Sequence, residues 1–257
     1  SFSWNHNHHP PHQLNVVQAS WEDETSDEKL LHLTIDDQSG RRRVYVGAVN
    51  KIYQLSIDLK LEAQATMGPA PDHYDCPVSK NCPNIDLGPM NYYNKALVIY
   101  TPNHHTPTIY APNIPFAIAN SQSNAFSQSN FLNPALATTT QPQSNKPTSW
   151  LVSCGTLHQG VCALHNLDNI THYEIPANES VVANSPTAST VAFIAPGPAS
   201  KQYSNRQQPV LYVGSTHTGL GPYNSEVPAV SSRSLQMDSI FNFASSGVSS
   251  GTKLTVN

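Results

Sequence analysis

The run Arg43-Val-Tyr-Val-Gly-Ala-Val-Asn-Lys-Ile-Tyr-Gln-Leu-Ser-Ile-Asp-Leu59 reads as two strands joined by a tight turn. Val44, Val46 and Ala48 alternate with Tyr45, Gly47 and Val49. Asn50-Lys51 interrupts the alternation, and Ile52, Tyr53 and Leu55 begin a second strand. β-branched and aromatic residues suit a pleated, half-buried surface, and Asn tolerates the backbone conformation of a turn. The same grammar returns twice. Trp150–Gly155 leads through Thr156–Gly160 into Val161–Leu167, and Val210–Gly214 leads through a longer loop towards Ser234-Leu235. Gly155 and Gly214 are 59 residues apart, and Gly47 and Gly155 are 60 apart once 101–148 is set aside. A strand-and-turn repeat of this length points to a blade-based propeller or another repeated β architecture.

The composition narrows the function classes. Net charge is −4, and charged residues are 12% of the 257, about half the ~25% usual in soluble domains. Both signs are scattered, so no nucleic-acid footprint is expected. Arg41-Arg42-Arg43 is the one basic run, and it reads as a solvated strand entry. No stretch approaches the ~18 apolar residues of a membrane span. The chain starts at Ser1 without an initiator Met, so a fragment or a processed product is expected; no signal peptide is visible, which for a fragment says nothing about secretion.

Four cysteines form two close pairs, Cys76/Cys82 and Cys154/Cys162. Three connectivities are open; the local one is most economical, because the second pair brackets a hairpin turn. Neither pair has the Cys-x2-Cys spacing of a zinc site. Two glycosylation sequons follow, at Asn169-Ile-Thr171 and Asn178-Glu-Ser180. Together with the paired cysteines they favour an extracellular protein.

Along the chain, residues 1–29 form a polar arm with His6, His8, His9 and His12 around Pro10-Pro11. Such tracts can bind metal, but a disordered, solvated arm is the reading adopted, with no metal or cofactor site. Residues 30–257 form the repeat-bearing domain. Leu31, Leu33 and Ile35 alternate with His32 and Thr34, as in a half-buried strand with His32 facing solvent. Asn94–Tyr100 is a buried-type strand. Residues 101–148 hold seven prolines and one charged residue, Lys146; they read as a disordered insert, mobile and dispensable for folding. Thr190–Ala195 is a strand stopped by Pro196-Gly197-Pro198. A Gly/Pro loop spans Thr216–Pro228, and the Ser/Gly-rich end from Phe241 is uninformative.

No catalytic residues are assigned. Gly247-Val-Ser-Ser-Gly251 fits a nucleophile-elbow pattern, but that motif needs a strand before it and a helix after it. Thr252-Lys-Leu-Thr-Val follows, which favours strand or coil. No phosphate loop, dinucleotide fingerprint or zinc-protease motif appears. His158 and His165 in the second hairpin read as hydrogen-bonded structural or exposed histidines.

At the two hairpins the sequence resembles the plexin family. Val44–Leu55 looks like the first blade of a plexin sema domain. Met67-Gly-Pro-Ala-Pro-Asp-His-Tyr-Asp-Cys76 resembles the family's Thr-Gly-Pro…Cys stretch, with Met67 where Thr is usual. Asn94…Leu97-Val-Ile99 and Leu151-Val-Ser-Cys-Gly-Thr-Leu-His-Gln-Gly-Val-Cys162 fit the next blade, and Val182–Val191 looks most like the B-type plexins. The resemblance covers about Leu30 to Gln236 without the insert. It implies an all-β fold, a partial seven-bladed sema propeller contributing about its first three blades. It also implies that both cysteine pairs are local disulfides. By the same resemblance the chain would bind a semaphorin ligand on the extracellular side of the plasma membrane, and any membrane span would lie outside it. The alternatives are the sema domain of a Met-type receptor kinase and, further off, an extracellular propeller enzyme. Oligomeric state is not legible in the sequence.

Overall fold

A computed structural model describes residues 20–22, 29–37, 40, 42–102, 149–200, 206–244 and 253–254. The His-rich tract, nearly all of the insert, and Gly247–Gly251 lie outside the described residues. Three four-stranded antiparallel sheets follow one another along the chain. The first holds β1 (Leu30–Asp36), β2 (Arg43–Ala48), β3 (Lys51–Ser56) and β4 (Leu61–Thr66), in that order. A small hairpin of β5 (Ala70–Asp72) and β6 (Gly88–Met90) intervenes. The second sheet holds β7 (Asn94–Tyr100), β8 (Trp150–Gly155), β9 (Cys162–Asn166) and β10 (Tyr173–Glu174). The third holds β11 (Thr190–Ser200), β12 (Arg206–Ser215), β13 (Val230–Ser234) and β14 (Lys253–Leu254).

The first strands of successive sheets meet, β1 against β7 and β7 against β11. The sheets therefore radiate from their first strands like propeller blades, and they pack face to face. Between the first and second sheets, Tyr45, Ile52 and Ala65 meet Leu97, Leu151, Leu167 and Ile170. Two hydrogen bonds cross the same interface. Arg43 Nη1 and the Tyr45 hydroxyl both donate to the Leu167 carbonyl, at 2.7 and 3.1 Å. Between the second and third sheets, Val152, Cys154 and Leu164 meet Leu211, Val213 and Phe241. The architecture is nearly all β, with open sheets that form a partial propeller.

The organising hairpin turns through Asn50, at φ 61°. Its backbone carbonyl accepts from the Met67 and Gly68 N–H groups, and its side-chain carbonyl accepts from the Tyr92 N–H. One turn residue thus ties the first sheet to the approach to the second.

Several sequence expectations are corrected. In β1 the apolar side chains point outward: Leu33 is 61% exposed and Ile35 52%. They share a face with Val44 and Val46 of β2, which Trp21 and Leu59 pack against, and among the described residues no second sheet covers that face. His32 is the half-buried partner, beside Asn94, Lys95 and Thr190, and burial lowers its pKa from the ordinary value. Pro196-Gly197-Pro198 does not stop β11. The strand continues to Ser200, with a register shift between Pro196 and Ala199. β11 is an edge strand, where the missing proline N–H removes no ladder bond. The residues after Phe241 are not uninformative either, since Phe241 is fully buried and Arg233 lies 3.8 Å over the Phe243 ring.

The repeat glycines are also displaced by one position. In the first sheet Gly47 pairs with His32 after an extra residue in β1; in the second Gly155 pairs with Asn94 before the extra residue Lys95. A one-residue offset reverses the face. A side chain at Gly47 would meet Asn94, whereas one at Gly155 would strike the Tyr92 ring.

Finally, the boundary at residue 29 is softer than the sequence suggests. Trp21 packs edge-on against Tyr53 at 4.7 Å, and the Lys29 carbonyl accepts from the Val49 N–H.

Candidate functional site

The loops at one end of the three sheets are tied together by side-chain amides. The β8–β9 turn contributes His158, Gln159 and Gly160, at φ 53°, 64° and 85°. Three successive left-handed residues, two of them not glycine, need outside support. Asp72 supplies part of it by accepting the His158 N–H at 2.6 Å and the His73 N–H at 2.9 Å. Burial alone would raise the Asp72 carboxyl, but the hydrogen bonds from His158 and His73 outweigh it and hold the pKa below its ordinary value. Gly160 is obligatory here, because a Cβ would come 1.7 Å from the Val182 carbonyl. That close approach lets the Gly160 carbonyl accept from the N–H groups of Val181 and Val182.

Gln159 and Asn184 carry the connection across. The Gln159 amide donates to the carbonyls of Tyr74 and Cys76, at 2.8 and 2.7 Å. Its own oxygen accepts from Asn184 Nδ2 at 2.7 Å. Asn184 also donates to the Leu220 carbonyl and accepts the Leu220 N–H, at 3.0 and 2.6 Å. Gln159 and Asn184 are both buried. The relay joins the loop of the first disulfide, the β8–β9 turn, the connection between the second and third sheets, and the 216–228 loop. Above it the loops present Asp75, Leu87, Leu220 and Glu226 to solvent. Two histidine–carboxylate pairs also lie here, His158 Nδ1 3.6 Å from Asp72 Oδ1 and His73 Nδ1 3.7 Å from Asp75 Oδ2.

The structure joins Cys76 to Cys82, with Cα atoms 5.4 Å apart, and Cys154 to Cys162, at 4.0 Å. The second pair sits directly opposite in the β8–β9 ladder. Asn169 lies in a turn where its side-chain oxygen accepts the Thr171 hydroxyl at 2.8 Å, with Thr171 exposed. Asn178 is exposed, but the Ser180 of its sequon is buried and donates to Glu226 at 3.1 Å.

His165 is structural. Its Nδ1 lies 2.9 Å from the Ile170 carbonyl, which can only accept, so Nδ1 carries the proton. Nε2 therefore accepts from the Ser153 hydroxyl at 2.8 Å. Both residues are at most 1% exposed, so this serine–histidine pair meets no substrate. Burial pushes the imidazole pKa down to about 4. His158 meets Asp72 with both its backbone N–H and its ring, whose Nδ1 lies 3.6 Å from Asp72 Oδ1.

The sequence did not reveal Arg233, which is wholly buried and donates to the carbonyls of Phe241 and Ser180. Burial is the main cause that lowers its pKa to about 10. Lys95 was missed too. As the extra residue of β7 it donates to the carbonyls of Pro186 and Ala188, both at 2.8 Å. Carbonyl partners distant in sequence leave no local signature. Among the described residues, no three His, Cys, Asp or Glu side chains gather to hold a metal, and no helix is long and apolar enough to cross a membrane.

No family model matches the chain. Human Plexin-B1 is 29% identical over 214 residues, 80% of this chain and 7% of that protein. Mouse Plexin-B2 is 29% identical over 207 residues, 79% of this chain and 8% of that protein. The chain thus spans less than a tenth of the length of these relatives. The plexin A4 full extracellular region superposes with a TM-score of 0.54 at 20% identity, covering 90% of this chain and 20% of that one. The chain is similar in sequence to plexins, with B-type plexins the best matched, and it shares the fold of part of the plexin extracellular region.

Proposed function

We propose that this chain is part of the ligand-binding ectodomain of a semaphorin receptor. The observation that carries the reading is the amide relay through Gln159 and Asn184. It fixes loops from three sheets into one surface before any partner arrives, and preorganisation of this kind lowers the ordering cost of association. The loop Thr216–Pro228 is the segment assigned nearest to the ligand, since Leu220 is anchored on both its polar backbone groups. The plexin matches favour this reading over a Met-type kinase ectodomain. The role is binding without catalysis. The chain would sit outside the cell, attached through a span beyond this sequence, with glycans at Asn169 and Asn178.

Surface plasmon resonance with a panel of semaphorins tests the proposal. The 257-residue chain is compared with a longer ectodomain that contains it. The longer form is expected to bind one semaphorin saturably, and the chain alone weakly or not at all. Asn184→Ala in the longer form should weaken binding while leaving the fold intact. Failure of every semaphorin to bind the longer form would overturn the proposal. Equal affinity of the short chain would show that the recognition site is local to it.

A further inference from the structure

A hollow of about 240 Å3 opens at the loop end, where Asn184 of the amide relay forms part of its wall. Tyr74 and Asn91 come from the stretch that carries the β5–β6 hairpin, Tyr93 from the approach to β7, and Thr156 from the β8–β9 turn. Asn184 and Pro186 come from the connection between the second and third sheets. Residues 67–93 and 149–189 are all described, so each wall is seen together with its neighbours in sequence.

Hydrogen bonds within the walls hold the hollow in shape. Thr156 Oγ1 accepts the Tyr93 N–H at 3.0 Å and donates to the Asn91 carbonyl at 3.2 Å. Asn91 Oδ1 accepts from Asn50 Nδ2 at 3.0 Å, which fixes the orientation of the Asn91 amide. Asn184 is held by Gln159 and Leu220. Thr156 and Asn184 are only 6% and 4% exposed. Some hydrogen-bonding capacity is left over. Among the described residues, Asn91 Nδ2 and the phenol hydroxyls of Tyr74 and Tyr93 have no partner, and Thr156 Oγ1 keeps a lone pair.

These walls choose their ligand by chemistry. No charged side chain lines the hollow. The buried Lys95 ammonium donates to the Pro186 and Ala188 carbonyls and is not part of the wall, so an ionic ligand finds no counter-charge. A purely apolar group would cover the free phenols and the Asn91 amide, and a buried donor without a partner bears its full desolvation cost. The volume lies below the ~300–1,000 Å3 of pockets for drug-sized ligands, so a single ring is the size admitted. A sugar ring meets both demands. Its hydroxyls pair with amide and phenol groups, and its C–H face lies against the tyrosine rings and Pro186.

We propose that this hollow binds one neutral sugar residue, the terminal hexose of a glycan carried by a neighbouring molecule. The inference is independent of the semaphorin reading, and failure of either leaves the other standing.

The test uses the longer ectodomain, freed enzymatically of its own N-glycans. The probes are the methyl glycosides of mannose, galactose, glucose and N-acetylglucosamine. Saturation-transfer NMR should show at least one of them binding saturably, with a Kd of about a millimolar, as suits about a dozen heavy atoms in an open pocket. Methyl sialoside, a charged sugar, and N-acetylprolinamide, a peptide ring, should show no transfer. Tyr74→Phe and Tyr93→Phe each remove one hydroxyl that has no partner among the described residues, so the thermal midpoint should stay unchanged. Each should weaken sugar binding roughly two- to tenfold, the loss of one neutral hydrogen bond. Absence of transfer to all four sugars would overturn the proposal. Binding that both variants leave unchanged, or a preference for the sialoside or the prolinamide, would overturn it as well.

Discussion

Acidification should loosen the contact between the first two sheets through His165. The imidazole is wholly buried between Ser153 and the Ile170 carbonyl, with the Tyr173 ring 4.9 Å away. Gln54 of the first sheet accepts the Ile170 N–H at 3.4 Å, so the histidine supports the turn on which that sheet rests. Its folded pKa of about 4 lies below the ordinary histidine value of 6.5, because burial disfavours the charged ring. As pH falls through 6.5 the unfolded chain takes up the proton first, and stability declines until the folded pKa is passed. The gap of two to three units, at 1.36 kcal/mol each, gives a loss of about 2 kcal/mol at pH 5 and about 3 kcal/mol at pH 4. That is a large share of the roughly 5–15 kcal/mol by which domains are stable. Urea unfolding followed by tyrosine and tryptophan fluorescence at pH 7, 6, 5 and 4 measures the slope. Other groups titrate in this range, His32 among them, so the comparison is with His165→Gln. That variant should be less stable at pH 7, and its stability should fall less between pH 7 and pH 4. Equal slopes in the two proteins would refute the argument.

Gly155→Ala would place a Cβ 1.9 Å from the Tyr92 ring; it should destabilise by about 1–3 kcal/mol, as overpacking does, and lower the thermal midpoint. Non-reducing peptide mapping should recover Cys76–Cys82 and Cys154–Cys162, and a dominant Cys76–Cys154 link would contradict the local pairing. Replacing Cys154 and Cys162 together should cost about 2–4 kcal/mol in denaturant unfolding. In a secreted preparation, glycopeptide mass spectrometry should find Asn169 more fully occupied than Asn178, because Thr171 is exposed whereas Ser180 is buried against Glu226; the reverse order would count against that reasoning.

The hairpins were legible because a strand repeats every two residues, and Val44–Ala48 and Leu151–Gly155 keep that period through their buried positions. What the period cannot say is which of two faces another sheet will cover. Leu33 and Ile35 have the alternation of a core strand and are exposed, since their cover is decided by what stands next to the sheet. The left-handed turn at His158-Gln159 was illegible for a related reason. Neither residue favours that conformation, and Asp72, Tyr74 and Asn184, far away in sequence, hold it in place. Prolines misled at residue 196 because their effect depends on whether the strand is central or at an edge.

The two ends of the 101–148 segment have a consequence for how such a chain can change. Tyr100 and Trp150 are opposite one another in the ladder, and the hydroxyls of Thr101 and Ser149 are 2.9 Å apart. The hairpin is therefore sealed before the intervening polypeptide begins. Lengthening what lies between adds only about 0.6 kcal/mol per doubling of loop length. That position is a graft point, at which lineages or engineers can exchange a passenger sequence of almost any size without renegotiating the sheet that carries it.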